Sequence, residues 1–257
     1  METIAFMNKK GGVGKTTLVA NIAAMLATEG GKSVVMVDLD DQANLSSIFV
    51  VDTDREPSVS EVFRNKTYEI QDCISQAVLK GEFIDNLFIA HSNIGLSQAI
   101  REMPGRLNIE KRLIKSMENL DVDYVLIDCP PSGGEAVLNA IYAADKVVVP
   151  VNMGGFATNA IQDVLELITE VKGYDSTGEM LESEKVVFVR NKLDKRNRAV
   201  NKKVDDALVP INKYLASSVC RVASKMDHAI MDDMPLVLHD PKSELVSDIR
   251  SLIKEVF

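Results

Sequence analysis

The sequence predicts a doubly wound α/β domain over residues 1–257, with a mostly parallel sheet and helices on both faces. Three observations lead there. Short, nearly continuous apolar runs at residues 3–7, 33–38, 123–128 and 146–151 have the composition of strands buried on both faces. Helix-period patterns lie between them, as the crossovers of a parallel sheet require. Two of the runs end in aspartate, at the carboxyl ends of strands where open α/β sheets keep their sites.

The first strand, residues 3–7, leads into Asn8-Lys9-Lys10-Gly11-Gly12-Val13-Gly14-Lys15-Thr16-Thr17. A helix follows, with Leu18, Ile22, Met25 and Leu26 on one apolar side, and Gly30-Gly31 end it. Strand, glycine loop and helix form the context that a phosphate loop needs. The glycines let backbone N–H groups turn inward around a polyphosphate, and no side chain blocks its approach. The helix opening near Thr16 adds its positive dipole end. Lys15 then places a point charge on the β- and γ-phosphates, and the Thr16 hydroxyl is a magnesium ligand. The competing reading is an ordinary Gly-rich turn. Two positions depart from Gly-x-x-x-x-Gly-Lys-Thr: Lys9 stands in place of glycine, and Lys10 is a second lysine within the loop.

Composition narrows the class. A chain of 257 residues, 46% hydrophobic, can bury a full core, mostly aliphatic because tryptophan is absent and aromatics are 5%. The net charge of −9 argues against constitutive nucleic-acid binding. The start has no secretory signal, and no apolar stretch is long enough to cross a bilayer. Cys73, Cys129 and Cys220 are scattered among apolar neighbours, which points to buried thiols in a reducing cytoplasm. His91, His228 and His239 are equally dispersed and read as no ligand set.

The second strand ends in Asp38-Leu39-Asp40-Asp41-Gln42-Ala43-Asn44. Next, Ser58 to Phe63 reads as a capped short helix, residues 72–78 as a short element and residues 86–90 as a strand. Helical patterns over 94–103 and 109–120 are separated by Pro104-Gly105. The run 123–128 continues into Cys129-Pro130-Pro131-Ser132-Gly133-Gly134. Paired with Lys15, Asp128 reads as a nucleotide-site carboxylate that holds magnesium through water. After the strand at 146–151, Asn152-Met153-Gly154-Gly155 leads into a helix over 157–172, and residues 184–190 form a further strand ending at Asn191. The last stripe, Leu245, Ile249, Leu252, Ile253 and Val256 with Ser243 as cap, reads as core packing, since Asp248 and Glu255 offset Arg250 and Lys254.

Lys-Gly-Gly-Val-Gly-Lys-Thr-Thr, Asp-Leu-Asp-Asp-Gln and Asp-Cys-Pro-Pro-Ser together resemble the motifs of the ParA/MinD family of deviant phosphate-loop ATPases. The resemblance spans the chain and is nearest to the small ParA branch, because residue 9 is not glycine. It implies that Lys10 reaches the partner subunit's phosphates across a nucleotide-sandwich homodimer. It also implies that Asp38 supports the magnesium shell, that Asp40 orients the attacking water and that 130–134 is the second switch. A solvated acidic turn is the alternative for Asp38 and Asp40. Asp41 replaces the family's usual proline, from which a looser, more negative loop is expected. Asn191 is expected to face the adenine base, with a capping role as the alternative.

Residues 185–225 hold eleven Lys/Arg against three acids, a net +8, so the rest of the chain carries −17 of the total −9. Within it, Lys192, Lys195, Arg196, Arg198, Lys202, Lys203, Arg221 and Lys225 are candidate phosphate contacts; a solvated helix surface is the alternative. With the ParA resemblance, the implied function is ATP- and Mg²⁺-dependent segregation of plasmid or chromosome, cytoplasmic and nucleoid-associated. The expected ATP dimer binds nonspecific DNA, and a centromere-binding ParB-type partner stimulates its slow hydrolysis to release it. The first strand, near residue 3, leaves no room ahead for a helix-turn-helix. A MinD-like membrane-associated regulator is the alternative; a metabolic enzyme would need a substrate pocket, for which no motif is present.

Overall fold

The computed structural model describes residues 1–50, 52–103, 108–152, 157–183 and 185–257, without the side chains of 157–160. The chain opens with β1 (Glu2–Phe6), α1 (Lys15–Thr28) and β2 (Val34–Asp38). Two short helices, α2 (Ser46–Phe49) and α3 (Ser60–Arg64), precede a hairpin of β3 (Ile74–Leu79) and β4 (Glu82–Ala90). Then come α4 (Gly95–Arg101), α5 (Arg112–Ser116), β5 (Tyr124–Asp128), α6 (Glu135–Ala143) and β6 (Lys146–Val151). Next are α7 (Ala157–Lys172), α8 (Thr177–Glu182), β7 (Val186–Leu193) and α9 (Arg198–Leu208). The described chain closes with β8 (Leu215–Arg221), α10 (Met226–Met231), α11 (Leu236–His239) and α12 (Glu244–Val256).

The eight strands form one sheet in the order β3-β4-β2-β5-β1-β6-β7-β8. Every neighbouring pair is parallel except β3 with β4. Alternation sorts the strands onto two cores: Ile4, Phe6, Val34 and Met36 pack on the α1 and α12 side, and Ala5, Val35 and Val37 on the α6 and α7 side. This is the parallel sheet covered on both faces that continuous apolar strands require. β1 lies between β5 and β6, where the strand order turns back on itself, so its carboxyl end opens at the switch point of the sheet. In register, Asp38 of β2 sits beside Asp128 of β5, and Phe6 of β1 on the other side of Asp128.

Several local expectations change. Residues 70–73 form a 3₁₀ turn, and β3 follows as an edge strand antiparallel to a β4 that starts at Glu82 rather than Asn86. The turn between them, Lys80-Gly81, has φ of +50° and +87°, the two positive angles of a type I′ hairpin, with lysine in the usual asparagine position. Ser58 does not cap α3: its amide donates to Glu56 (2.8 Å), and its buried hydroxyl has no partner among the described residues. The patterns at 94–103 and 109–120 shorten to α4 and α5, the latter after a 3₁₀ turn at Ile109–Lys111. Pro104-Gly105, Met153 to Gly155 and Glu184 lie outside the described residues. The helix over 157–172 forms as expected. β7 runs past Arg190 to Leu193, so Asn191 lies inside a strand and caps nothing.

The end of α1 follows its glycines: Gly31 has φ +61°, and Lys32 N–H donates to the Leu26 carbonyl (3.0 Å), satisfying a carbonyl of the last turns. Leu245, Ile249, Leu252 and Val256 of α12 are buried in the core shared with α1 and β8. Ser243 holds the N-cap position of that helix but makes no side-chain cap bond. All three cysteines are buried and reduced. Burial pushes the thiols of Cys73 and Cys220 up to about 12 and that of Cys129 higher still, which makes them inert packing groups. No helix among the described residues is long and apolar enough to cross a membrane.

Candidate nucleotide site

The loop after β1 is built as a cradle. Asn8 is buried and ties both ends of it: its amide donates to the Pro150 carbonyl (2.8 Å), and its Oδ1 accepts from Lys10 N–H (2.9 Å). Val13 is buried as the loop's apolar anchor, and its carbonyl accepts from Asn191 Nδ2 (2.8 Å). The Gly12 carbonyl accepts from Lys192 Nζ (2.9 Å). Gly14 forms the N-cap of α1 at φ +92°, and a Cβ there would lie 2.4 Å from Asn191 Nδ2. Only glycine satisfies both demands. No side chain caps α1, so the first-turn N–H groups around Thr16 and Thr17 face the cradle, the usual anion-binding arrangement. Gly11 and Lys10 are exposed at its mouth.

Lys15 is buried and points back over the loop, with Nζ 3.3 Å from the Asn8 carbonyl. The next residue, Thr16, donates through Oγ1 to Asp128 Oδ2 (2.6 Å). Asp128 Oδ1 is buried and has no hydrogen-bond partner among the described residues. Burial, and then the neighbouring Asp38 charge, push the Asp128 carboxyl well above the usual carboxylate range. A buried carboxylate oxygen left without a donor, beside a hydroxyl, is a good fit to a hydrated divalent cation. No cluster of three or more His, Cys, Asp or Glu among the described residues could hold a metal alone. That suits magnesium, which is commonly shared with substrate phosphates and water.

Asp38 is different. Its Oδ2 accepts from Ser46 N–H (2.9 Å) and Ser46 Oγ (2.7 Å), and its Oδ1 accepts from Asp40 N–H (3.1 Å). Its pKa rises to about 6, because burial outweighs these bonds. Both of its oxygens are thus occupied in bracing the loop 38–46, one step behind Asp128. Asp40 lines the main cavity and accepts from Gln42 N–H (3.0 Å). Asp41, expected to loosen the loop, is instead held by the Ser97 hydroxyl of α4.

The cavity beside the cradle measures about 500 Å³, large enough for a nucleotide. The phosphate loop, Thr16, Thr17 and Asp40 form one end, and Met226, Ile230, Met234 and Pro235 the other. That apolar wall was not read from the sequence. A signal was present in Asn21, a polar residue on the buried side of α1. Its Oδ1 accepts from Val237 N–H (2.9 Å), which ties the segment after β8 to α1, the helix that follows the phosphate loop.

The basic segment does not act as a unit. Arg221 pairs with Asp248 and Glu244 (both 2.6 Å), Lys225 with Asp240 (3.1 Å), Arg196 with Asp194 (2.9 Å), and Arg190 with Asp205. Lys192 belongs to the loop. Asp194 and Asp205 are already counted in the +8; the outside acids Asp240, Glu244 and Asp248, which the chain order hides, lower it by three to +5. Lys195, Arg198, Lys202 and Lys203 remain exposed and without an ion pair among the described residues, on and just before α9.

Comparisons agree with this geometry. A family model described as an AAA domain matches residues 1–182. The sporulation initiation inhibitor protein Soj of Bacillus subtilis is 30% identical over 260 residues, covering 98% of this chain and 97% of Soj. Apo McdA from Cyanothece shares the fold, with a TM-score of 0.78 at 19% identity over the whole of both chains. A Mycobacterium smegmatis structure named cobyrinic acid a,c-diamide synthase, with bound ADP and magnesium, is 31% identical. Its TM-score is 0.67, over 80% of this chain and 82% of that one. With the lysine-rich phosphate loop, the aspartates closing β2 and β5 and a Soj-like sequence along nearly its whole length, the chain belongs to the ParA/MinD-type ATPase family.

Proposed function

We propose that this chain is a single-domain, magnesium-dependent ParA-type ATPase that segregates plasmid or chromosomal DNA. The observation that carries the proposal is the joint placement of Lys15, Thr16 and Asp128 at the start of α1, with one Asp128 oxygen awaiting a donor. The long Lys15–Asn8 contact is readily exchanged for phosphate oxygens, which are charged acceptors. Magnesium, when bound, neutralises charge on the β- and γ-phosphates. Thr16 and Asp128 would hold it, while Asp38 keeps the neighbouring loop in place. Asp40 orients the attacking water. The adenine lies against Met226, Ile230 and Pro235 of the cavity wall, while Asn191, buried and donating to the Val13 carbonyl, braces the loop beside it.

Lys10, exposed at the mouth, reaches the phosphates of the partner subunit in an ATP-dependent homodimer. Dimerisation then doubles the basic surface of Lys195, Arg198, Lys202 and Lys203, which contacts the backbone of nonspecific DNA. A centromere-binding ParB-type partner accelerates a slow hydrolysis and releases the DNA, in the cytoplasm at the nucleoid. Lys15→Ala and Thr16→Ala test the site by ATP binding and turnover. Both activities should fall at least about tenfold, since each variant removes a charge-assisted contact. Wild-type values in both variants would refute the assignment.

A further inference from the structure

Position 41 is where this chain departs from the proline of the family it resembles, and the structure shows what the aspartate does there. Asp40 and Asp41 are adjacent in the loop that follows β2, and each lines a different cavity. Asp40 lines the nucleotide cavity. Asp41 lines a separate cavity of about 230 Å³, bounded by α4 on one side and by Pro130, Ser132 and Glu135 of the segment after β5 on the other. There Asp41 Oδ2 accepts from the Ser97 hydroxyl, and its Oδ1 accepts from Gln42 Nε2 (3.3 Å). The charge of Arg101, one turn along α4, also favours the carboxylate.

α4 can serve as an anchor because it is itself fixed. Leu96 and Ala99 are buried, Gly95 N–H donates to Asn93 Oδ1 (3.0 Å), and Asn93 donates to Glu56 (3.1 Å). The same stretch of chain grips the far end of the loop, where Ser92 N–H donates to Ser46 Oγ (2.8 Å). The loop is thus tied to the segment 92–97 at two points, one at residue 46 and one at residue 41.

We propose that Ser97 and Asp41 form a latch that positions Asp40 for water activation, taking over the stiffening that proline gives at this place in related chains. Since Gln42 donates through its N–H to Asp40 (3.0 Å) and through Nε2 to Asp41 (3.3 Å), fixing the Asp41 side chain also fixes the residue that holds Asp40. Ser97 is a positioning residue: it lies outside the nucleotide cavity and touches Asp41 alone among the loop side chains. The role rests on the ATPase reading proposed above.

The test measures ATP affinity, kcat and thermal stability for the full chain and for Ser97→Ala, Ser97→Thr, Asp41→Ala and the Ser97→Ala/Asp41→Ala double variant. Ser97→Ala should lower kcat about tenfold, below the 10²-fold loss that a 1 Å misplacement can bring. ATP affinity should stay within about twofold, because no nucleotide contact is touched. Ser97→Thr keeps the hydroxyl and should restore turnover. The double variant should be no slower than the slower single variant, because the two residues act as one contact. A kcat that is unchanged or raised in Ser97→Ala, a loss confined to affinity, or an additive double variant overturns the latch. A wild-type chain that neither binds nor turns over ATP overturns the ATPase reading instead, and the latch's part in turnover with it. Melting curves show whether Ser97→Ala remains folded; if it unfolds, the comparison of Ser97→Thr with wild type and Asp41→Ala decides the case.

Discussion

Asp128 concentrates the conflict between stability and function in a single residue. It is buried, it has one oxygen without a donor, and Asp38 lies beside it in the sheet. Burial raises the pKa of both carboxyls, so folding disfavours their ionised forms. Such groups add stability below their unfolded pKa and lose it as pH rises through the folded value. For Asp38, raised from 3.8 to about 6, that loss falls between about pH 4 and pH 6, and for Asp128 it continues upward. The nucleotide-free protein should therefore lose part of its stability across this window. Asp128→Asn keeps an acceptor for the Thr16 hydroxyl but removes the charge. It should raise nucleotide-free stability at pH 7, because it removes a buried charge beside Asp38, while abolishing magnesium-dependent ATP binding. Chemical denaturation at pH 5 and pH 7.5 checks the first effect, and titration of ATP with and without magnesium the second. A variant less stable than wild type at pH 7.5 contradicts this account of the pair.

At the scale of elements, the phosphate loop was legible because one strand-to-helix junction contains all of its chemistry in ten consecutive residues. Gly14→Ala tests that junction directly. The alanine would have to hold φ near +92° and would place Cβ 2.4 Å from Asn191. It should cost at least about 1–3 kcal/mol and displace the loop from β7, seen as a lower melting temperature together with lost ATP binding. The central strands and α7 were legible for a related reason, since apolar runs and helical spacing are local signals. The β3–β4 hairpin was not, because Lys80 disguises a turn that usually carries asparagine. Nor was the wall at Met226 and Ile230, which packs beside α1 from far along the chain and is tied there by the bond of Val237 to Asn21. Charge was the least legible property. Arg221 looked like a phosphate contact until α12 supplied Asp248 and Glu244. Reversal of Arg221 to Glu should therefore destabilise the fold by about 1–3 kcal/mol, as two acids lose their partner. Lys202→Glu/Lys203→Glu, on the exposed side of α9, should leave the melting temperature nearly unchanged; equal melting shifts in the two variants would erase this distinction.

For the whole molecule, the question is how an acidic chain engages a polyanion. A net charge of −9 repels DNA, so the four exposed cations around α9 of one subunit act against the field of the rest of the chain. In the proposed dimer, two subunits joined through nucleotide would double those contacts on one assembly, which would make ATP the condition for binding and hydrolysis the means of release. The most direct test is fluorescence anisotropy of the full chain on a short duplex of arbitrary sequence. It is run with ATP and magnesium, with ADP and with no nucleotide, across a range of salt, beside anionic vesicles as the competing surface. The account predicts binding only with ATP and little dependence on sequence. The log–log salt slope should be about −0.9 for each phosphate neutralised, and flatter in the Lys202→Glu/Lys203→Glu variant. Binding that is independent of nucleotide, absent from DNA but present on vesicles, or unchanged in slope by the double reversal would contradict it.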